Sequence, residues 1–299
     1  MNRLLVLIFI LAVTSSCPQK ENLSLQGGGA GTVLPTWKDY PGLCSDVLPG
    51  WVELPAVREI EGCAWVFHDM EIPDVYEGRN YSIFYDAALL MPRWVAYPLT
   101  PELAGGGERS NKWKQWDPKI PRDYQPSTQD GGWKVEDYDR GHLLPSADRT
   151  ASIESNWQTF YPTNMTVQKG RKLNQRIWAD LEDMVRSWAE DCDTLYVVTG
   201  AVPSSEYIID RGGNRVNKPS AFYKVLLQYR ADAPVAETYR GIAFWLENRD
   251  YEEPVVNSTM AMSVRAMERK LDMNFFVNLP KEYIGYAEEK FEPSYWGIK

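Results

Sequence analysis

The sequence predicts a protein built from both strands and helices, of either the α/β or the α+β class, and three observations support this. Residues 80–85 and 93–97 are rich in β-forming residues, which predicts two strands of a hairpin with a longer loop. Residues 173–189 carry apolar side chains at helical spacing, which predicts an amphipathic helix. Hydrophobic residues make up 44% of the 299 residues and include 12 tryptophans and 17 tyrosines, so the chain can bury a sizeable core as one large domain or two smaller ones.

The first 16 residues have the pattern of a targeting segment. An apolar run over residues 4–13 is too short to span a bilayer, and small residues follow it up to Cys17. A signal that ends at a cysteine resembles a bacterial lipoprotein signal. We therefore expect cleavage before Cys17, attachment of lipid to it and a location at the bacterial cell envelope; the alternative is ordinary secretion. Residues 17–49 would form a tether and lead-in, with a flexible glycine-rich run at 27–31.

The four cysteines are Cys17, Cys44, Cys63 and Cys192, and they contain no C-x-x-C pair. With only two distant histidines in the chain, we do not expect a structural zinc site. In an oxidising envelope compartment Cys44 and Cys63 could form a disulfide, which would leave Cys192 as a buried thiol.

The remaining elements are read from local pattern. A first strand is predicted near residues 63–67, a short strand at 142–144 ended by Pro145, and another at 159–161 that would deliver Asn164. Further strands are predicted at 195–199, 222–229 and 241–246, and a second amphipathic helix at 263–271. The glycine-containing segment 207–219 is expected to be a loop at the edge of a binding cleft.

Polar residues of catalytic type are concentrated between residues 138 and 182. Asp139, Arg140, Gly141 and His142 form one run, and the only other histidine, His68, lies far away without ligand-type neighbours, so we interpret it as structural. A neutral imidazole can accept a proton near pH 7, and an arginine beside it can bind a phosphate.

Two asparagines and a glutamate follow this run. An asparagine oxygen, at Asn164 or Asn174, suits Mg²⁺ better than Zn²⁺, and Glu182 could hold a metal-bound water. Together with His142 and Arg140, these groups could support attack of water on a phosphodiester.

Three motifs in this order carry a family resemblance: the D-R-G-H run at 139–142, the T-N-M-T-V-Q run around Asn164, and L-N-Q-x-x-W-x-x-L-E at 173–182. The chain resembles the DNA/RNA non-specific endonucleases over about residues 50–299. The resemblance implies an α+β fold of the ββα-metal nuclease type, with a central, mainly antiparallel sheet flanked by helices.

The same resemblance implies roles for single residues. His142 would be the general base and Asn174 would hold Mg²⁺, with Mn²⁺ as a further candidate. Arg140, Asn164 and Glu182 match the remaining polar positions and would complete the catalytic set. The implied substrates are DNA and RNA, with weak base preference and cleavage that leaves 5′-phosphate ends.

Charge gives the main argument against this reading. The net charge of −9 is unfavourable for general binding of nucleic acid, because such binding depends on Lys and Arg contacts to phosphates. Lys169, Arg171, Lys172 and Arg176 could supply a local basic surface, or they could be the solvated start of a helix. A surface lipoprotein that captures nucleic acid without cleaving it, and a phosphodiesterase for a smaller ester, are the alternatives in function.

Overall fold

The computed structural model describes residues 50–57, 60–110, 115–129, 132–133 and 135–299. The predicted signal and tether, with Cys17 and Cys44, lie outside these ranges, so cleavage, lipid attachment and a Cys44–Cys63 disulfide stay predictions. Cys63 is buried and Cys192 is half-buried, and the two form no disulfide with each other. All described residues belong to one compact unit.

The described strands form one seven-stranded sheet and two separate two-stranded ribbons, and every pairing in them is antiparallel. In chain order the strands are β1 (Cys63–Ile72), β2 (Tyr76–Asp86), β3 (Met91–Leu99), β4 (Tyr138–His142), β5 (Met165–Lys169), β6 (Thr194–Val202), β7 (Tyr207–Ile209), β8 (Arg215–Asn217), β9 (Ala221–Tyr229), β10 (Tyr239–Glu247) and β11 (Ala261–Met262). The large sheet has the order β1-β2-β3-β6-β9-β10-β11, and the ribbons are β4-β5 and β7-β8.

Helices pack on both faces of the large sheet. The α-helices are α1 (Pro101–Ala104), α2 (Ile153–Gln158), α3 (Ala179–Glu190), α4 (Val235–Thr238) and α5 (Val264–Leu271). A π-helical segment, Gly170–Trp178, leads directly into α3. Short 3-10 helices lie at Arg122–Tyr124, Ser146–Arg149, Pro162–Asn164, Ser258–Met260, Lys281–Tyr283 and Pro293–Trp296, and a second π-helical turn at Gly285–Glu289.

Two cores follow from this arrangement. On one face, Ile177, Leu181 and Val185 of the helix pack against sheet residues such as Val197 and Leu226. On the other face, α5 and the segment that follows it cover a second cluster, which includes Trp94, Tyr223, Met267 and Phe275. Because the centre of the sheet is covered on both faces, its strands are buried on both sides, as β9 shows.

The site-bearing segment is a ββα unit beside the first core. The ribbon β4-β5 is followed at once by the π-helical segment and α3. Met165 and Val167 of β5 pack with Ile208 and Val216 of the second ribbon in a third, smaller core. The ribbon β4-β5 therefore packs against the ribbon β7-β8 and against the helix that follows β5.

Most predicted elements are confirmed. The first strand, the hairpin, the three later strands and both amphipathic helices are present, usually a few residues longer than predicted. The hairpin loop is shorter than expected, because the predicted Met91-Pro92 spacer belongs to β3.

Two predicted strands are wrong. His142 ends a strand instead of starting one, since β4 pairs residues 138–142 with β5. Residues 159–161 form a turn: Thr159 donates its hydroxyl to Asn156 O at 2.7 Å, and Pro162 begins the 3-10 helix that ends at Asn164. Short β-forming runs are overridden here by local side-chain bonds to the backbone.

In the part of the chain that the structure describes, no helix combines the length and the apolar character needed to cross a bilayer.

Candidate active site

The ribbon β4-β5 places His142 at the mouth of a cavity. His142 pairs with Met165 in the register, and Gly141 pairs with Thr166. A Cβ atom at Gly141 would lie 2.6 Å from the Cβ of Gln168 and closer still to its amide oxygen. Only glycine allows this approach of the two strands, so the D-R-G-H run needs its glycine for packing directly before the histidine.

The helix after the ribbon supplies the other polar groups of this cavity, which has a volume of about 620 Å³. Arg140, His142, Asn174 and Glu182, four of the five residues predicted for the site, line it together. The other lining residues are Gly107, Arg109, Gly132, Trp133, Tyr138, Asp139, Pro145, Ser146, Ala147, Thr150, Gln175 and Ala179.

Asp139 fixes the orientation of the Asn174 amide. Its Oδ2 accepts a hydrogen bond from Asn174 Nδ2 at 2.9 Å and another from Gln175 Nε2 at 2.8 Å. Trp133 Nε1 donates to the backbone oxygen of Asp139 at 2.7 Å, which holds the aspartate in turn. Because the amide nitrogen of Asn174 is bound to the carboxylate, its oxygen is the atom that remains to take a cation.

His142 is held neutral by its surroundings. Burial, together with the guanidinium charges of Arg109 and Arg140, lowers the pKa of His142 from 6.5 to about 3. The Phe160 ring contacts both His142 and Arg109. It packs edge-to-face with the His142 imidazole at a centroid distance of 5.3 Å, and the Arg109 guanidinium lies 5.2 Å from the Phe160 centroid. The imidazole is therefore a proton acceptor at neutral pH in a strongly positive surrounding.

The Arg140 side chain lines the cavity. Its Nη1 donates to Thr128 O at 2.7 Å, which leaves other guanidinium N–H groups directed elsewhere. Burial and the nearby charges of Arg109 and Arg211 lower the pKa of Arg140, while Asp139 opposes this. This wall therefore carries several cations side by side, which favours an anionic ligand.

Glu182 lies among charged groups deeper in the site. Burial raises the pKa of Glu182 to about 7, Lys224 and Arg186 lower it, and Asp148 and Asp183 raise it. Lys224 is fully buried on β9, donates to Thr199 Oγ1 at 2.9 Å and lies 4.8 Å from the Trp178 ring centroid. Either a bound cation or the approach of Lys224 would favour the ionised carboxylate.

The structure places Asn164 away from the cavity. It is fully buried, its Oδ1 accepts from Leu144 N at 2.9 Å, and its Nδ2 donates to Leu144 O at 3.0 Å and Thr159 O at 2.8 Å. Both amide hydrogens are used in these contacts, so the predicted catalytic role of Asn164 has no support from its position. The side chain instead holds the chain two residues after His142.

Asp148 and His68 are structural anchors. Asp148 is buried, accepts from the Tyr97 hydroxyl at 2.9 Å and pairs with Arg186 at 2.8 Å. His68 is buried, and its Nε2 lies 3.1 Å from the carboxylate of Asp117. His68 thus has the structural position expected of it.

The positive charge of the site does not come from the predicted basic run. Lys169 lies 3.7 Å from Asp137 and 3.6 Å from Asp250, Arg176 pairs with Asp180, and no residue of this run lines the cavity. Among the described residues, the cations that line the cavity are Arg109 and Arg140. Arg109 follows a glycine run in a loop without periodicity, so no local pattern singled it out.

The segment 207–219 was expected to be a plain loop beside the cleft. It forms the ribbon β7-β8, whose turn reaches the cleft rim through Arg211 Nε, which donates to Gly132 O at 3.0 Å. The segment does not line the cavity itself.

The side chains present fit a hydrated divalent cation. Asn174 offers a neutral oxygen and Glu182 a carboxyl group in the same cavity, which has room for bound waters. In the described ranges no group of three His, Cys, Asp or Glu side chains is placed to hold a metal. One or two oxygen ligands plus water is the coordination that Mg²⁺ accepts more readily than Ca²⁺ or Zn²⁺ do.

The site lies on a ββα unit beside an antiparallel sheet. A neutral histidine and an oriented asparagine face an arginine-lined cavity. This combination defines the class of the metal-dependent nucleases. A sequence model of the family described as DNA/RNA non-specific endonuclease matches residues 71–282. The chain belongs to this family, and its activity is that of a nuclease, a hydrolase acting on nucleic acids.

Relatives agree with this assignment, and a solved structure shares the fold. The chain is 27% identical over 224 residues to Nuclease C1 of Cunninghamella echinulata var. echinulata, which covers 71% of this chain and 86% of that protein. It is 29% identical over 218 residues to the mitochondrial Endonuclease G of Caenorhabditis elegans, with 69% of each covered. A crystal structure of the EndoG/EndoGI complex has the same fold, with a TM-score of 0.56 at 23% identity over 72% of this chain and 87% of that one.

Proposed function

We propose that this protein is a metal-dependent endonuclease that hydrolyses phosphodiester bonds of DNA and RNA with little sequence preference. The observation that carries the proposal is the convergence of a neutral imidazole, an oriented amide oxygen and a carboxyl group on one cavity with a cationic wall. Pure binding of nucleic acid needs only the cationic wall.

His142 is the proposed general base. It takes a proton from the water whose oxygen attacks the phosphorus, while the bond to the 3′ oxygen breaks and leaves a 5′-phosphate. In the free protein the pKa of about 3 would make the imidazole a weak base. An entering phosphate offsets the charges of Arg109 and Arg140, which lower this pKa, so the basicity of His142 rises when substrate is bound.

Arg140 and Arg109 are proposed to bind the non-bridging oxygens of the scissile phosphate. Both guanidinium groups lie at the cavity in fixed positions, one through Thr128 O and the other against Phe160. Groups that are already oriented stabilise the charge of the phosphorane-like transition state without reorganising.

Asn174, with Glu182 acting through water, is proposed to hold Mg²⁺, and Mn²⁺ would fit the same oxygens. When bound, the ion would stabilise charge on the phosphate and on the leaving oxygen. Asp139 orients Asn174, and Asn164 supports the chain after His142 without touching substrate.

For location, we propose a protein anchored at the bacterial cell envelope by lipid on Cys17. The apolar run at residues 4–13 and the cysteine that follows support this. Metabolic labelling with a fatty acid, compared with a Cys17→Ala variant, tests it; unlabelled, secreted protein would refute the anchor and leave the nuclease unaffected.

The experiment on function compares plasmid DNA and RNA degradation by the protein and by His142→Ala, each with Mg²⁺ and with EDTA. We expect metal-dependent cutting of both polymers, with the variant slower by about 10²–10⁴-fold, the usual range for loss of a general base. Asn174→Ala should lower activity and raise the Mg²⁺ concentration required. Tight binding without cutting would replace the proposal with the capture lipoprotein, and near-normal turnover in His142→Ala would reject the base.

A further inference from the structure

The turn of the ribbon β7-β8 presents Arg211 to the rim of the cavity. The turn is rigid because Asp210 is buried inside it: Oδ1 accepts from Asn214 N at 2.9 Å and Oδ2 accepts from Ser127 N at 2.6 Å. The aspartate next to Arg211 in sequence is thus engaged by other donors. Arg211 itself is exposed to solvent on this fixed turn.

Gly132 connects Arg211 to the site. Arg211 Nε donates to Gly132 O at 3.0 Å, so the terminal nitrogens of its guanidinium point away from that bond. A Cβ atom at Gly132 would lie 3.0 Å from Arg140 Nε, which means that Arg140 packs directly on the glycine. The two guanidinium groups therefore flank one residue of the cavity lining, and the charge of Arg211 contributes to lowering the pKa of Arg140.

The environment of Arg211 differs from that of several other arginines in the described structure. Arg79, Arg93 and Arg186 each pair with a buried or largely buried carboxylate. Within the described residues, Arg211 is bonded to a neutral carbonyl and forms no ion pair. Adjacent guanidinium groups repel each other, and a bound anion removes that repulsion.

We propose that Arg211 forms a second phosphate subsite next to the one at Arg140, and that it binds the phosphodiester adjacent to the scissile bond. The inference rests on the proposed function and specifies its substrate as a chain with at least two consecutive phosphates. Arg211 acts on binding of the polymer and not on the chemical step.

The test compares two substrates of different length in the variants Arg211→Ala and Arg215→Ala. One substrate is the p-nitrophenyl ester of thymidine 5′-phosphate, which has a single phosphodiester; the other is a 20-nucleotide single strand. Arg215 is the matched control, because it is an exposed arginine of the same ribbon that lies 3.7 Å from the Tyr207 ring centroid, and its loss changes the net charge equally.

We expect Arg211→Ala to raise KM for the 20-mer by about five- to tenfold, somewhat less than the loss of a buried charge-assisted contact, because the side chain is exposed. Its kcat for the 20-mer, and its kcat/KM for the small ester, should stay within about twofold of wild type. Arg211→Lys should recover part of the affinity, since it keeps the charge but not the forked geometry. Arg215→Ala should change neither substrate by more than about twofold.

Equal losses in Arg211→Ala and Arg215→Ala would overturn the subsite, because they would indicate general electrostatics. A loss of the same size on the small ester would also overturn it, because Arg211 would then act through Gly132 and Arg140.

A direct binding measurement separates this proposal from the nuclease proposal. Affinity for the 20-mer in EDTA does not depend on cutting, and loss of one phosphate contact should reduce its slope against log salt by about 0.7. If the wild type cuts neither substrate, the nuclease proposal fails while the binding difference between the two variants still decides the subsite.

Discussion

The orientation of Asn174 by Asp139 leads to a sharp prediction for Asp139→Asn. The carboxylate oxygen accepts two hydrogen bonds, from Asn174 at 2.9 Å and Gln175 at 2.8 Å. An asparagine at 139 can keep both bonds through its one oxygen, but without the negative charge. With its NH₂ group at the Oδ2 position instead, it favours rotation of the Asn174 amide, so that the Asn174 oxygen turns away from the cavity. Charge-assisted hydrogen bonds are about twice as strong as neutral ones, so the orienting energy falls by about 1.5–3 kcal/mol.

This loss corresponds to about a 10- to 100-fold weaker affinity for Mg²⁺, the range observed when outer-shell partners of metal ligands are removed. Calorimetric titration with Mg²⁺, or Mn²⁺ binding followed by electron paramagnetic resonance, measures it directly. Asp137→Asn is the matched control: it removes the same charge two residues earlier, from an exposed side chain that lies 3.7 Å from Lys169. Wild-type Mg²⁺ affinity in Asp139→Asn, or an equal loss in Asp137→Asn, would refute the orientation argument.

Four further predictions concern His142 and the residues that support it. The chain has only two histidines, so their imidazole NMR signals are assigned by comparison with His142→Ala. The signal of His142 should show a neutral ring throughout the range from pH 7 to pH 5. Arg109→Ala should raise the pKa of His142 from about 3. In the unfolded chain His142 takes up a proton near pH 6.5, whereas in the folded protein it does not. The free energy of unfolding should therefore fall by about 2 kcal/mol between pH 7 and pH 5 because of His142. Denaturant unfolding of wild type and of His142→Ala at both pH values measures this difference. Gly141→Ala should cost about 1–3 kcal/mol of stability and most activity, because its Cβ would lie 2.6 Å from that of Gln168, and Gln168→Gly should restore part of both. Asn164→Ala should lower Tm and kcat without changing the Mg²⁺ requirement, since its three hydrogen bonds are all to backbone groups.

Each of these has a contrary result. An His142 signal that titrates near 6.5 would contradict the effect of burial and charge, as would unchanged stability differences across the pH range. Normal melting of Gly141→Ala would show that the ribbon has room for a methyl group. A raised Mg²⁺ requirement in Asn164→Ala would place that residue in direct contact with the metal after all.

Sequence patterns predicted the long elements of the fold because hydrophobic periodicity determines them. The helix that carries Asn174 and Glu182 and the strands now defined as β6, β9 and β10 all follow apolar patterns of this kind. The errors at residues 142–144 and 159–161 occurred where short runs depend on pairing partners and on proline. Which residues pair with β4 is decided by β5, more than twenty residues later, and no local pattern reports that.

The site was predictable where motifs carry it and not elsewhere. Four of the five predicted residues meet in one cavity, because they lie on the first strand and on the helical stretch of one ββα unit. Asn164 belongs to the same set of motifs, but its side chain forms hydrogen bonds to backbone groups. A sequence match cannot distinguish an asparagine that supports the backbone from one that lines the site. Arg109 and Arg211 come from loops distant in sequence, and only the fold brings their charges beside Arg140.

The π-helical segment before α3 has a consequence for how much the length of this helix can vary. In a regular α-helix, side chains eight residues apart differ in direction by about 80°, so Asn174 and Glu182 would point to different sides. A helix with i to i+5 bonding has about 4.4 residues per turn, and using it from residue 174 to 178 brings the two directions to within about 10°. A regular α-helix one residue shorter would align them almost as well, to about 20°. Deleting one exposed residue of this wide turn, such as Gln175, should therefore convert it to a regular α-helical turn and keep both side chains on the cavity. Deleting a residue within 179–181 should turn the two side chains apart as long as the wide turn keeps its π-helical form.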